Sequence, residues 1–428
     1  MPRSESTPAG ESQEEQYNVP IVVGSLILGV FFGGVGGGVA FPTLPTLGPL
    51  LGISPFVVGI ILSANRFTRL VMNTPAGQVI DTFGARTPMI VGLFLQGLAP
   101  FGYIIGLYPE YVPVVGAAGI FIAARILWGF GSAFVFVGAY SIVVHVTEQD
   151  NRGTWIGYFR GGQALGFPSG LILGGVLTDL FGYEVAFAVS GASGVVAAIV
   201  AAAVLPTVRQ AAHRPAPIRA IPAIVRRDVR IFIIGSVNFT VRFLFAGILL
   251  STLVLYAEAH EIGIGDFTAL GASGFLMAVA VIASSMTTVI AGAVSDNVDD
   301  RAIVPIPALG LFIAGFAILG FVPTLTAVVV AVVLIGIGVG GTNPPLLAYL
   351  GDISPEGDIG KMGGIYNVFG DLGSALGPLV ALPVGAAIGY QLEYLLSAVM
   401  ATLLLLLIVL TLLGRDVESV APRTRPMD

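Results

Sequence analysis

Gly77-Gln-Val-Ile-Asp81-Thr-Phe-Gly84-Ala-Arg86 is a short polar break between long apolar stretches, and the chain contains it twice. The second copy reads Gly292-Ala-Val-Ser-Asp296-Asn-Val-Asp-Asp-Arg301, with glycine, aspartate and arginine at identical spacing, each displaced by 215 residues. In a chain of 428 residues that displacement is half the length. Self-similarity at a fixed offset marks an internal repeat, so the chain reads as two copies of one unit.

Around each copy lie apolar runs far longer than a soluble helix needs. They fall at 19–42, 54–80, 88–107, 114–146, 154–178, 185–205, 231–257, 267–295, 302–322, 325–350, 362–388 and 394–414. Each reaches the roughly 20 residues that span about 30 Å of hydrocarbon as a helix. The reading is therefore an all-α membrane protein of twelve transmembrane helices. Composition agrees: 55% of residues are hydrophobic and 10% charged, against about 25% charged in soluble domains. Long unbroken runs exclude a β-barrel, whose strands alternate in polarity. Cysteine is absent, which removes disulfides and thiolate metal sites. His145, His213 and His260 lie far apart, so no metal site is expected.

Orientation follows from the basic residues. With both termini in the cytoplasm, fourteen of the nineteen fall in cytoplasmic segments and the other five inside spans, leaving none outside. The expected organisation is an acidic cytoplasmic tail (1–18), a first six-helix bundle (19–205), an Arg- and Pro-rich linker (206–230), a second bundle (231–414) and a short tail (415–428). The linker carries six arginines. It reads as an amphipathic segment at the anionic inner leaflet rather than a nucleic-acid site. The apolar run that begins at Val19 is too long for a signal peptide.

A second echo is glycine at every fourth position: Gly162, Gly166, Gly170 and Gly174 in span five, Gly373 and Gly377 in span eleven, followed by Pro378. Such spacing clears one helical face for a close neighbour. With these motifs the chain resembles the major facilitator superfamily across 19–414. That family's signature after span two, G-x-x-x-D-R-x-G-R-R/K, is matched by Gly77, Asp81, Gly84 and Arg86, with Thr82 and Ala85 at its other basic positions. Its span-four pattern appears as Arg125-Ile-Leu-Trp-Gly129-Phe-Gly131, and its span-five antiporter pattern as the glycine ladder, with Leu171 in place of proline.

The resemblance implies two pseudo-symmetric six-helix bundles that alternate access to a midplane site. It also implies that Gly77, Asp81, Arg86, Gly292, Asp296 and Arg301 hold the cytoplasmic side closed, Asp81 by facing the start of span eleven. The ladder is expected to seat span five on span eight, across the halves, close packing within one half being the alternative.

Charge inside a membrane is expensive and marks function. The spans hold Arg66, Arg69, Arg125, Arg160 and Arg242 against one acid, Asp371. Since spans two and eleven face each other in the family, Asp371 is expected to pair with Arg69 or Arg66, with Arg242 next in line. Arg125 is expected to point into the central cavity, with Arg160, Gln163 and Asn238 contributing further polar contacts. Asp371 is the proton-titrating candidate.

The favoured activity is proton-coupled efflux of a small amphiphilic drug or metabolite from a prokaryotic cell by a monomer. Sodium coupling is the alternative to the proton. No cofactor or nucleic acid is expected. The rival function is a symporter or facilitator for an organic anion, which the arginine excess and the lack of an acid in span one favour. A membrane enzyme would need a cluster of His, Asp or Glu at one face, and ATP drive a GxxxxGK[ST] loop; neither occurs. A sensor or scaffold is expected to carry an added soluble domain.

Overall fold

A computed structural model describes residues 18–111, 113–148, 150–206, 229–354 and 359–413, apart from the side chains at 359–361. The expected linker and both tails fall largely outside the described residues. Twelve helices in this range are long and apolar enough to cross a membrane. They are α1 (Val19–Leu50), α2 (Pro55–Phe83), α3 (Arg86–Gly106), α4 (Gly116–Val146), α5 (Arg152–Phe181) and α6 (Tyr183–Val204). After the linker come α7 (Val229–Ala259), α8 (Ala269–Ser295), α9 (Pro305–Phe321), α10 (Leu325–Asp352), α11 (Ile359–Ile388) and α12 (Tyr390–Thr411).

Lipid leaves no partner for a bare backbone amide, so each apolar run closes its own hydrogen bonds as a helix. Polar side chains then set the ends. Asn18 accepts from Ile21 N at the start of α1, and Thr324 from Ala327 N at the start of α10. Where two helices follow with almost no loop, glycine takes the positive φ that reverses the chain: Gly182 at φ 90° between α5 and α6, Gly389 at φ 86° between α11 and α12.

One helix departs from regular geometry. In α7 the stretch Phe243–Leu249 is π-helical. The Thr252 hydroxyl donates to the Ile248 carbonyl at 2.8 Å, and the Ser251 hydroxyl donates to the Gly247 carbonyl beside it.

The glycine ladder seats α5 on α1, within the first half. A Cβ at Gly166, Gly170 or Gly174 would run into the backbone at Phe31, Val35 and Val39, and one at Gly162 into Ile27. This corrects the expected seam with span eight. The contact with α8 is made instead by the neighbouring face of α5: Gly175 abuts Leu270, Gly271 and Gly274, and Leu171 O abuts Gly274. The second half repeats the design, Gly373 resting on Phe239 and Gly377 on Gly247 of α7. Each half has its own apolar core. Of the first half's buried residues, Phe41 and Leu171 join the core of the second, and Leu382 of the second joins a core of the first.

The halves meet at one end. Call the end that carries Arg86, Arg152 and Arg301 the basic end. At the opposite end Gly59 of α2 lies against Pro378 O and Leu379 of α11. There too Thr268 N, at the N-terminus of α8, donates to Asp179 of α5 at 2.9 Å, and the Thr268 hydroxyl donates to the same carboxylate. Towards the basic end the same helices separate. A Cβ at Gly153, Gly157 or Gly161 of α5, or at Gly363 or Gly364 of α11, would meet nothing within 4 Å. The molecule is open at the basic end and closed at the other.

Candidate functional site

Where the cleft from the basic end reaches mid-bilayer depth, α2, α7 and α11 bring four charged side chains together. Arg69 lies at the centre of α2, and its Nη2 donates to Asp371 Oδ1 of α11. Arg66, one turn earlier, brings Nη1 within 3.9 Å of the same oxygen. Arg242 of α7, half-buried, lies near enough for its charge to bear on Arg66 and on Tyr366. The side chains of Arg66, Arg69 and Asp371 are 24%, 16% and 21% exposed, so water or a solute entering the cleft reaches all three. The Arg69 guanidinium also lies 5.5 Å above the Phe136 ring, a cation–π contact that orients it.

Three guanidinium groups around one carboxylate leave two formal positive charges uncompensated. That imbalance is expensive in a low-dielectric slab. It suits a planar anion that takes two parallel N–H bonds from a guanidinium fork.

The remaining expected residues lie elsewhere. Arg125 does not reach the cavity. It is 1% exposed and its donors turn into α2: Nε to Ile61 O at 3.3 Å, Nη2 to Leu62 O at 3.1 Å and to Asn65 Oδ1 at 2.8 Å. The carbonyls of α2 and Asn65 offer acceptors at the α2–α4 seam, so Arg125 is a staple between helices. Asn238 is 3% exposed, donates Nδ2 to Tyr366 O at 2.7 Å and packs against Gly370, so it ties α7 to α11 and does not line the cleft. Arg160 is exposed towards the basic end of α5, with Gln163 half-buried one turn on. Tyr366 backs the charged group, its hydroxyl donating to Asn343 Oδ1 of α10 at 2.9 Å. Only its aromatic type marked it, and nothing in its spacing did.

Of the residues expected to hold the cytoplasmic side closed, Arg86 and Arg301 make contacts within their own halves. Arg86 donates to Ala202 O at 2.8 Å. Arg301 joins Asp296 at 3.5 Å and Asp352 at 3.1 Å. Gly292 sees only Pro344, at 4.0 Å. The expected contact of Asp81 involves the first turn of α11, whose side chains lie outside the described residues.

Asp371 is also not the lone acid within a helix. Helix α12 begins at Tyr390, four residues before the expected start of span twelve, because Gly389 reverses the chain so tightly. Glu393 thereby falls inside it, 3% exposed.

A family model described as Major Facilitator Superfamily matches residues 26–280 and again 231–427. Multidrug resistance protein 1 of Bacillus subtilis is 26% identical over 183 residues, 42% of this chain and 44% of that protein. A protein of Methanocaldococcus jannaschii described as an uncharacterized MFS-type transporter is 28% identical over 166 residues, 39% of this chain and 41% of that protein. The chain thus spans less than half the length of the curated relatives it matches. Among solved structures, a bacterial homolog to the human lysosomal transporter Spinster, inward-facing and unoccupied, is similar with a TM-score of 0.74 at 13% identity, over 94% of this chain and 97% of that one.

Proposed function

The chain belongs to the major facilitator superfamily of membrane transporters, and from that premise we propose that it carries a small organic anion by alternating access around Asp371. The observation that carries this reading is the surplus of guanidinium: Arg66 and Arg69 share a single carboxylate, Asp371, at mid-depth, and Arg242 adds its charge beside Arg66. An arriving carboxylate or phosphate takes the place of Asp371 on Arg66 and Arg69. Released from its cation, Asp371 is the carboxylate that takes up the coupling proton in this reading. Anion and proton then occupy the site together, which is the chemical basis for coupling.

Orientation completes the picture. The excess of arginine at one end supports a cytoplasmic assignment for that end, and with it the reading that both termini lie there and that the protein sits in the cell membrane. On that assignment the structure is inward-facing, its closed end held by the Asp179–Thr268 and Gly59–Pro378 contacts.

A second reading, efflux of an amphiphilic drug, is favoured by the similarity to Multidrug resistance protein 1. Purified protein in proteoliposomes separates the two. The probes are a panel of mono- and dicarboxylates, a sugar phosphate, and cationic and neutral amphiphiles, each offered with and without a pH gradient. Uptake of an anion that is lost in Arg242→Ala supports the anion reading. Transport of the cationic amphiphiles with no anion flux overturns it in favour of the second.

A further inference from the structure

The two halves differ at one matched position beside the charged group. Gly129 and Gly131 of α4 recur as Gly336 and Gly338 of α10, each displaced by 207 residues. Their packing recurs with them. Gly129 lies against Asn65 of α2 and Gly131 against Gly92 of α3, while Gly336 lies against Ala280 of α8 and Gly338 against Ala308 and Phe312 of α9. The same displacement carries Phe136 of α4 onto Asn343 of α10. One position of the repeat therefore holds a flat apolar ring in the first half and an amide in the second.

Both side chains bear on the charged group. The Phe136 ring lies 5.5 Å from the Arg69 guanidinium and is half-buried, so part of it stays uncovered beside that cation. Asn343, also half-buried, accepts from the Tyr366 hydroxyl through Oδ1 at 2.9 Å, and the charge of Arg242 reaches the same tyrosine. The Nδ2 of Asn343 donates to nothing among the described residues.

A cargo shifts the balance between two states only through contacts that it makes better in one of them. Closing the basic end brings the halves together, so a cargo that promotes closure touches both. An anion held by Arg66 and Arg69 has Phe136 against its body, on the side of the first half. A ring there gains an edge-to-face aromatic contact that a saturated chain does not. On the second half, Asn343 offers an amide N–H, which is satisfied by an oxygen acceptor. We propose that the cargo is an aromatic carboxylate with a second oxygen on its ring, Phe136 selecting the ring and Asn343 the oxygen. The inference rests on the anion reading and names the class of anion.

Calorimetry on the purified chain tests it with benzoate, cyclohexanecarboxylate and the hydroxybenzoate isomers. The wild-type chain is expected to bind benzoate about fivefold more tightly than cyclohexanecarboxylate. Phe136→Leu is expected to bring that ratio close to unity, and Phe136→Tyr to keep it. The best-bound hydroxybenzoate is expected to bind about fivefold more tightly than benzoate. Asn343→Leu removes this second preference. Tyr366→Phe breaks the same hydrogen bond but leaves Nδ2 in place, so it keeps the preference. Each readout is a ratio of two ligands on one sample, which cancels any loss of folded protein. A ring preference that is absent, or that survives Phe136→Leu, overturns the proposal. So does a hydroxyl preference that survives Asn343→Leu or disappears in Tyr366→Phe. In those outcomes carboxylates still bind and the anion reading stands. Binding of no carboxylate at all overturns that reading and this inference with it.

Discussion

Arg125 spends three donors on α2, two on carbonyl oxygens and one on Asn65, so removing it is a matter of folding. Arg125→Met leaves those acceptors buried and is expected to lower stability by about 2–4 kcal/mol. The check is thermal unfolding in detergent, together with anion affinity in the folded fraction, which should stay within about threefold of wild type. Asp371→Asn acts differently. It leaves Arg66 and Arg69 charged and without their carboxylate. At roughly one-fifth exposure the pair is worth about 1 kcal/mol, well below a dry ion pair. The expected outcome is about fivefold tighter binding of the best-bound anion by calorimetry, together with loss of the pH dependence of its flux. An unchanged pH profile would remove Asp371 from the proton pathway. The sequence announces that both arginines are in the membrane. It does not say which way each points, because that depends on whether a neighbouring helix offers carbonyls, as α2 does to Arg125, or a carboxylate, as α11 does to Arg69.

At the level of helices, the α1–α5 seam is the tightest test of the packing. A Cβ at Gly170 meets the Val35 backbone, whereas one at Gly77 meets nothing within 4 Å. Gly170→Ala is therefore expected to destabilise the protein by about 1–3 kcal/mol. Gly77→Ala is expected to be neutral or to stabilise α2 by up to about 1 kcal/mol through helix propensity. Melting temperatures of the two variants should fall on opposite sides of wild type or nearly so. The ladder is legible in the sequence as a cleared face, since spacing by four defines a stripe. Its partner is not, because α5 lies between α1 and α8, and Gly175, off the stripe, faces the other neighbour. The start of α12 is illegible for a related reason. An apolar window places a span by its bulk, and a buried acid in the first turn falls off its edge.

Across the whole molecule, the state seen here is held where α2 meets α11 and α5 meets α8. Asp179 caps the N-terminus of α8 from the opposite half, an arrangement worth about 0.3–1 kcal/mol through the helix dipole. Asp179→Asn is expected to raise the ratio of open to closed molecules at that end by about two- to fivefold, read by double electron–electron resonance as growth of the long-distance population between spin labels at Glu110→Cys and Asp266→Cys, placed in a chain without native cysteine. No change in that population would show that closure rests on apolar contact alone. The two-fold repeat was readable from Asp81 and Arg86 recurring at Asp296 and Arg301. The open state was not, because the same sequence must satisfy both states about equally. Arg69 is the fifteenth of the 29 residues of α2, and Asp371 sits near the middle of α11, so about 20 Å of rod extends to either side of their bridge. That makes the bridge a fulcrum. Tilting the levers by about 20° carries their tips about 7 Å while the balance point hardly shifts, so torque applied at either rim decides which mouth gapes, and a probe fixed at the centre would register the change of occupant but not the swing.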